Sequence, residues 1–500
     1  MALLIHLLAG RRAASRALVG LAAGMGLYGV TLAWMSDFNI VGGILVMALE
    51  SGALVLATLA TPPGRGRRAG WVGAVVLQEW LRGHAPLGGV PMGGMTLGQA
   101  SGWLAPAARV GGALLVTGVL AAAGVVVEAI ATGLGPALIK STAVIKGRGR
   151  AAGEPGRAGT ATGVLGTTGE PGRAGTATGV AWRTATFPVL AAVATVAFPV
   201  AGLLSPSGRD IATIRVAAVQ GGGRRGLRAV HSSAQVVLAA AFAASRKVRP
   251  PVDLVLWPED VIALDGPIAG TPVAGEVGQV AVDDRAALLA GVTESVGDDK
   301  FRNAIVVWDD SGRITGRFDK VHRVPFGEYV PGRSLISHLV SLDVIPRDAI
   351  AGTGSGALQT QAGPVGVVIS FEVYFSDRAR SAVRGGGQVL LAPTNTASFT
   401  TTQVTTSEIA TAELRAWETG REVVMAAPTG FSAVIDSRGR LRQRSHIGTS
   451  EVLMADVHRR TGATPYLTWG DLPVLIGAAA LLAGARSVAA LDRKGEAGQP

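Results

Sequence analysis

The chain has 500 residues, 48% of them hydrophobic and 16% charged, with no cysteine and a formal net charge of +11. A mean hydropathy of +0.38, with charges well below the roughly 25% of soluble domains, excludes intrinsic disorder, and the missing cysteines exclude a disulfide scaffold and a thiolate metal site. Nor is the charge a nucleic-acid footprint, because it falls in clusters between long apolar runs, as in an integral membrane protein.

The chain opens on a short apolar run, 1–8, which precedes Arg11, Arg12 and Arg16 instead of following them, so it lacks the order of a signal peptide. Apolar runs at 17–34, 39–59, 71–81, 111–130, 187–204 and 472–491 then predict six membrane spans. A helix needs about 20 residues to cross hydrocarbon. The third run, which contains Glu79, is therefore marginal, and the sixth needs Arg486 to snorkel to the interface. Basic residues fill alternate loops: Arg11 to Arg16, Arg65 to Arg68, Lys140 to Arg183, and Arg493 with Lys494. The positive-inside rule puts these loops in the cytoplasm and residues 205–470 outside it. The predicted organisation is a transmembrane domain at 1–204 with about five spans, an extracytoplasmic domain at 205–470, and a final span with a cytoplasmic tail at 471–500. Within the linker 145–183 the sequence GEPGRAGTATGV occurs twice, at 153–164 and 169–180. Two Gly-rich copies without an apolar face read as a flexible linker, not a solenoid.

The rhythm changes after residue 205. Short β-rich runs at 214–219, 254–257, 304–308, 365–369, 389–391, 423–426, 432–435 and 452–455 alternate with helical stretches, clearest at 234–248 and 407–419. Such alternation predicts an α/β layered domain.

Three segments put polar residues where a buried strand would end, the place α/β folds reserve for their sites. LVLWPED ends in Glu259 and Asp260; GRFDKVHRVPFGEYVP holds Lys320, His322 and Glu328; VGVVISFEVYF places Ser370, Phe371 and Glu372 after an apolar strand. A carboxylate, an ammonium and a hydroxyl are a base, an oxyanion partner and a nucleophile. Singly, each has a plainer reading: a strand-end Glu as a cap, His322 as a structural hydrogen-bonder, Ser370 as an ordinary turn residue with no G-x-S-x-G elbow around it. Lys320 stands out because the chain uses 40 Arg and only 6 Lys, which points to a need for a compact ammonium at that position. The seven His residues show no metal-ligand spacing, so neither a metal nor another cofactor is expected.

Taken in order, RVAAVQG, LVLWPED, FRNAIVVWDDSGRITGRFDKVHRVPFGEYVP, VGVVISFEVYF, LLAPTNTASF and LRAWETGREVVMAAPTGFSAVIDSRGR resemble the nitrilase-type domain of the bacterial apolipoprotein N-acyltransferase family. LQEWLRG at 77–83, with the Gly/Pro-rich stretch after it, resembles that family's membrane part. The resemblance implies an α-β-β-α nitrilase-like sandwich inserted between transmembrane helices of a multi-pass cytoplasmic-membrane protein, with its catalytic domain extracytoplasmic. It implies transfer of an acyl chain from a phospholipid, through an acyl-enzyme, to the N-terminal amine of a diacylated apolipoprotein. The expected partners are the phospholipid acyl donor, the diacylated apolipoprotein acceptor and the membrane, with no nucleic acid, and the expected state is a monomer. Carried over by position, Glu259 is the general base, Lys320 the oxyanion-stabilising ammonium, Glu328 a supporting carboxylate and Ser370 the nucleophile, with Phe371 and Glu372 supporting it.

Ser370 stands where the family has Cys. A thiol titrates near 8.5, whereas a hydroxyl needs a strong and well-aimed base, so turnover is expected to be low. Further departures fall at Gly222, Arg323 and Phe371. Two alternatives follow: a catalytically silent paralogue that assists lipoprotein maturation, and a membrane-tethered amidase.

Overall fold

The computed structural model describes residues 1–37, 40–86, 88–148, 175–224, 233–336, 345–399 and 402–497. Most of the duplicated linker, at 149–174, lies outside them. Apolar sequence without β-branched alternation folds first as helices: α1 (Ala2–Leu7), α2 (Ala13–Thr31), α3 (Ile40–Ala60), α4 (Arg67–Arg82), α5 (Ala108–Arg148) and α6 (Gly175–Leu204). The 16 residues of α4 span about 24 Å, short of the ~30 Å of hydrocarbon. That helix is instead buried among its neighbours, with Trp71 and Val75 packed on Ile5 and Leu8 at the N-terminus. Its far end explains two acids inside apolar helices: buried Arg82 bonds Glu50 on α3 and Glu79 at 3.1 Å, and donates to the carbonyl of Met92 at 2.7 Å. α5 bends at Gly111 and Gly112. Gly112 has φ +69°, and a Cβ there would lie 2.4 Å from the Tyr466 ring, so the bend requires glycine on both counts.

The chain then alternates strands and helices: β1 (Arg209–Gln220), α7 (Ala234–Ser245), β2 (Leu254–Leu256), β3 (Ile262–Leu264), α8 (Pro272–Asp284), β4 (Ala287–Val296), β5 (Lys300–Trp308) and β6 (Ile314–Asp319). Next come α9 (Arg333–Ile336), β7 (Asp348–Ala349), β8 (Ala357–Leu358), β9 (Val365–Val367), α10 (Ser376–Arg384), β10 (Leu390–Pro393) and α11 (Thr402–Thr419). β11 (Val423–Ala426), β12 (Ala433–Ile435), β13 (Leu441–Arg444), β14 (Glu451–Thr461), α12 (Pro465–Trp469) and α13 (Leu472–Ala497) complete it.

One sheet runs β14-β1-β2-β4-β5-β6, with β3 and β7 at its margin, and the other runs β13-β12-β11-β10-β9-β8. Side chains alternate across each strand. Val216 and Ala218 of β1 face Val367, Leu391 and Val424 of the opposite sheet, while Ala217 and Val219 pack outward with Ala241 of α7 and Val277 of α8. The outer face of the second sheet, through Leu390, Ala392 and Met425, joins α10, α11 and the helical part, including Tyr28, Leu32 and Met92, in one apolar core. The result is an α-β-β-α sandwich whose second helical layer is seated on the apolar helices. Among the described residues, five helices are long and apolar enough to cross a membrane: 13–31, 42–60, 105–133, 186–204 and 472–494.

Candidate active site

Glu259 sits where β2 runs out. All three residues of β2 are buried, and the chain continues through Trp257, whose N–H donates to the Leu289 carbonyl at 2.8 Å. The next step passes so close to β4 that a Cβ on Gly291 would fall 2.4 Å from the Pro258 oxygen. Glycine at 291 thus lets the turn press Glu259 against the sheet. Lys320 follows β6, its N–H bonded to the carbonyl of Asn303 on β5 at 2.9 Å.

These placements bring four polar side chains together. The Lys320 ammonium donates to Glu259 Oε1 at 2.7 Å and to Glu328 Oε1 at 2.8 Å, and Asn303 Nδ2 donates to the same two oxygens at 2.8 and 3.0 Å. Lys320 and Glu259 are each 3% exposed. Burial pushes the Glu259 carboxyl above the usual carboxylate range; Lys320 pulls against this, while Asp260 and Glu328 reinforce it. Burial alone would lower the Lys320 ammonium, but the charges of Glu259 and Glu328 raise it, so it stays protonated. Glu328 also accepts from the Val324 N–H at 2.8 Å, which fixes its own loop.

Ser370 lies just past β9 at φ +48°, the left-handed region that a non-glycine residue enters only under outside constraint. Glu372 supplies much of that constraint. Its fully buried carboxylate accepts N–H bonds from Ile369 at 2.9 Å, Val321 at 2.8 Å and His322 at 3.2 Å. One side chain thereby ties the turn of Ser370 to the segment after Lys320. Phe371 is buried and packs edge-on to Phe375, with ring centres 5.1 Å apart, on the side of the apolar helices. His322 stacks on Phe375 at 4.0 Å, and Asp260 bonds Thr293 at 2.7 Å.

The Ser370 hydroxyl has neighbours that the sequence reading did not single out. Thr394 Oγ1 is 3.1 Å away and Glu408 Oε1 is 3.5 Å away, both on buried residues. Burial pushes Glu408 up to about 7, while Thr394, the Lys320 charge and Ser370 pull the other way. The Lys320 ammonium makes its hydrogen bonds to Glu259 and Glu328, not to Ser370. Asn303 and Thr394 lie inside quoted motifs as polar residues in apolar runs, and Glu408 lies on the buried face of α11 with Thr405 and Ala412. Those positions were the available signals.

A profile of the carbon-nitrogen hydrolase family matches residues 215–466, and one of the apolipoprotein N-acyltransferase N-terminal domain matches residues 1–126. The chain therefore belongs to the carbon-nitrogen hydrolases and, among them, to the apolipoprotein N-acyltransferase family. The apolipoprotein N-acyltransferase of Mycolicibacterium smegmatis is 32% identical over 292 residues, 55% of this chain and 48% of its own. That of Geobacter metallireducens is 31% identical over 305 residues, 59% and 57% of the two chains. The chain spans about half the length of these curated relatives. Among solved structures, Saccharomyces cerevisiae Nit3, of the nitrilase superfamily, aligns over 51% of this chain and 92% of its own, at 18% identity and a TM-score of 0.36. An amidase from Nesterenkonia sp. aligns over 54% and 98%, also at 18% identity, with a TM-score of 0.37. With its apolar helices, the chain is a multi-pass membrane protein.

Proposed function

We propose that this protein moves an acyl chain from a phospholipid to the N-terminal amine of a diacylglyceryl-Cys apolipoprotein, through an ester on Ser370. The observation that carries this reading is the buried Lys320 ammonium, held between Glu259 and Glu328. The relatives' name favours N-acyl transfer over a silent paralogue or an amidase.

Attack of Ser370 Oγ on the ester carbonyl builds negative charge on the carbonyl oxygen, and a preorganised ammonium in a water-poor site stabilises it. Glu259, held above the ordinary carboxylate range by burial, gives a proton to the departing lysophospholipid oxygen and later takes one from the acceptor amine. Glu328 and Asn303 fix Lys320 and Glu259 in place. In this reading the protein works as a monomer in the cytoplasmic membrane with residues 205–470 outside the cytoplasm. The five apolar helices support membrane residence, while the orientation rests on the basic loops and requires α4, buried among its neighbours, to count as a sixth crossing.

The test uses the full chain in micelles with a phospholipid bearing an alkyne-tagged acyl chain. An ester on the Ser370 peptide, and N-acylation of a diacylated lipopeptide, both lost in Ser370→Ala, are the expected result. Neither product from the unsubstituted chain would overturn the proposal.

A further inference from the structure

Ser370 has a hydrogen-bonding system separate from the Lys320 cluster. Thr394 Oγ1 lies 3.1 Å from Ser370 Oγ and 2.9 and 2.8 Å from the two oxygens of Glu408. Ser370, Thr394 and Glu408 are 9%, 1% and 4% exposed, so water does not compete for these contacts. A hydroxyl has one proton to give and two lone pairs to accept with. Given to the carboxylate, the stronger acceptor, the Thr394 proton leaves its lone pairs turned toward Ser370. The donor chain then runs from Ser370 through Thr394 to Glu408. On the other side, Glu259 Oε1 is already occupied by Lys320 and Asn303.

We propose that Glu408, acting through Thr394, is the base that takes the Ser370 proton, so that a hydroxyl does the work of a thiol at this position. The inference rests on Ser370 being the residue that is acylated. In the first half-reaction the Ser370 Oγ–carbon bond forms while the Ser370 proton moves to Thr394 and the Thr394 proton to Glu408. The carbon–oxygen bond to the glycerol breaks, and that oxygen takes the proton of Glu259. In the second half the amine nitrogen bonds the carbonyl carbon and gives its surplus proton to Glu259. The Oγ–carbon bond breaks, and Ser370 recovers its proton from Glu408 through Thr394. Both carboxyls end as they began. Burial holds Glu408 at about 7, close to the pH at which a general base works best.

The test follows covalent labelling of the full chain in micelles by an alkyl fluorophosphonate, a reagent for activated hydroxyls, across pH 5 to 9. Labelling should rise with pH about a midpoint near 7 and vanish in Ser370→Ala. Glu408→Gln and Thr394→Val should each slow it by about 100-fold or more, and Glu408→Gln should remove the pH dependence. Thr394→Ser, which keeps the hydroxyl, should stay within about threefold of the parent. Thr394→Val exchanges the relay hydroxyl for a methyl and Thr394→Ser keeps it, so the two together decide the matter even if Glu408→Gln folds poorly. Labelling that survives in Ser370→Ala removes the underlying reading of Ser370. Labelling lost in Ser370→Ala but unchanged in rate and pH profile in Glu408→Gln and Thr394→Val leaves Ser370 standing and overturns the relay. An unlabelled parent chain counts against both.

Discussion

Replacing Lys320 by Met keeps the stem and removes only the ammonium, which isolates what the charge does. Two charge-assisted hydrogen bonds vanish, at 2.7 and 2.8 Å, from a site where Lys320 and Glu259 are each 3% exposed. Each such bond contributes about 1.5–3 kcal/mol, and breaking a buried pair by removing one partner costs about 3–5 kcal/mol. Both routes converge on about 4 kcal/mol, a large share of the 5–15 kcal/mol typical of a domain. The loss should depend on pH. Burial already holds Glu259 above its unfolded value, near 4.3, and without the ammonium the carboxyl rises further. A group raised in the fold contributes its full stability below the unfolded pKa and loses it as pH climbs through the folded one. The variant's deficit relative to the parent is therefore flat while both carboxyls stay protonated, and grows where only the parent's ionises, from about 8 upward. Urea unfolding of both proteins in micelles, followed by tryptophan fluorescence at pH 6, 8 and 9.5, measures it. A deficit that fails to grow above pH 8, or that is below about 1 kcal/mol at pH 8, would refute the reasoning.

Glu372→Ala should be among the most damaging single changes in the sandwich, because three backbone N–H groups lose their acceptor at about 1–3 kcal/mol each; unfolding and Ser370 acylation should fall together, and an unchanged midpoint would count against the tie. Ser370→Cys, assayed for transfer to the diacylated lipopeptide, should be at least about tenfold faster than the parent, since a thiolate forms more readily and a thioester is the better acyl donor to an amine; an equal or slower Cys form would mean that the pocket is built for the hydroxyl. The absence of native cysteine makes topology directly readable. In Ser311→Cys, at an exposed turn, a membrane-impermeant maleimide should label intact spheroplasts, whereas in Arg65→Cys, also exposed, labelling should require permeabilisation. Labelling of both from the same side would remove the proposed orientation.

Much of this arrangement was legible because burial leaves a local trace. Runs such as Leu254–Leu256 and Val423–Ala426 are apolar on both faces, as strands buried between layers must be. Glu259, Lys320 and Ser370 were conspicuous as polar residues just beyond such runs. β4 was missed because ALLAGVTESV begins with Ala and Leu, which prefer helices. Its strand conformation comes from β2, β3 and β5 on either side, and no local preference encodes it. Glu50 and Glu79 sit inside apolar helices because buried Arg82 joins them, a pairing between helices that no local pattern encodes.

Glu408 is the more instructive omission. An acid on a helix is ordinarily read as part of its solvated face, and the only local sign that this one is buried is its place on one face with Thr405 and Ala412. Its meaning depends on Ser370, 38 residues away, and on Thr394 between them, both delivered by strand ends of the second sheet. Placing a carboxyl in that apolar layer is costly unless it is hydrogen-bonded, and the partners it has are a hydroxyl relay ending on the proposed nucleophile. A purely structural acid there would be replaceable by Gln at little cost to reactivity, since Gln also accepts from Thr394. Retained labelling in Glu408→Gln is therefore what a structural role predicts and what the relay forbids.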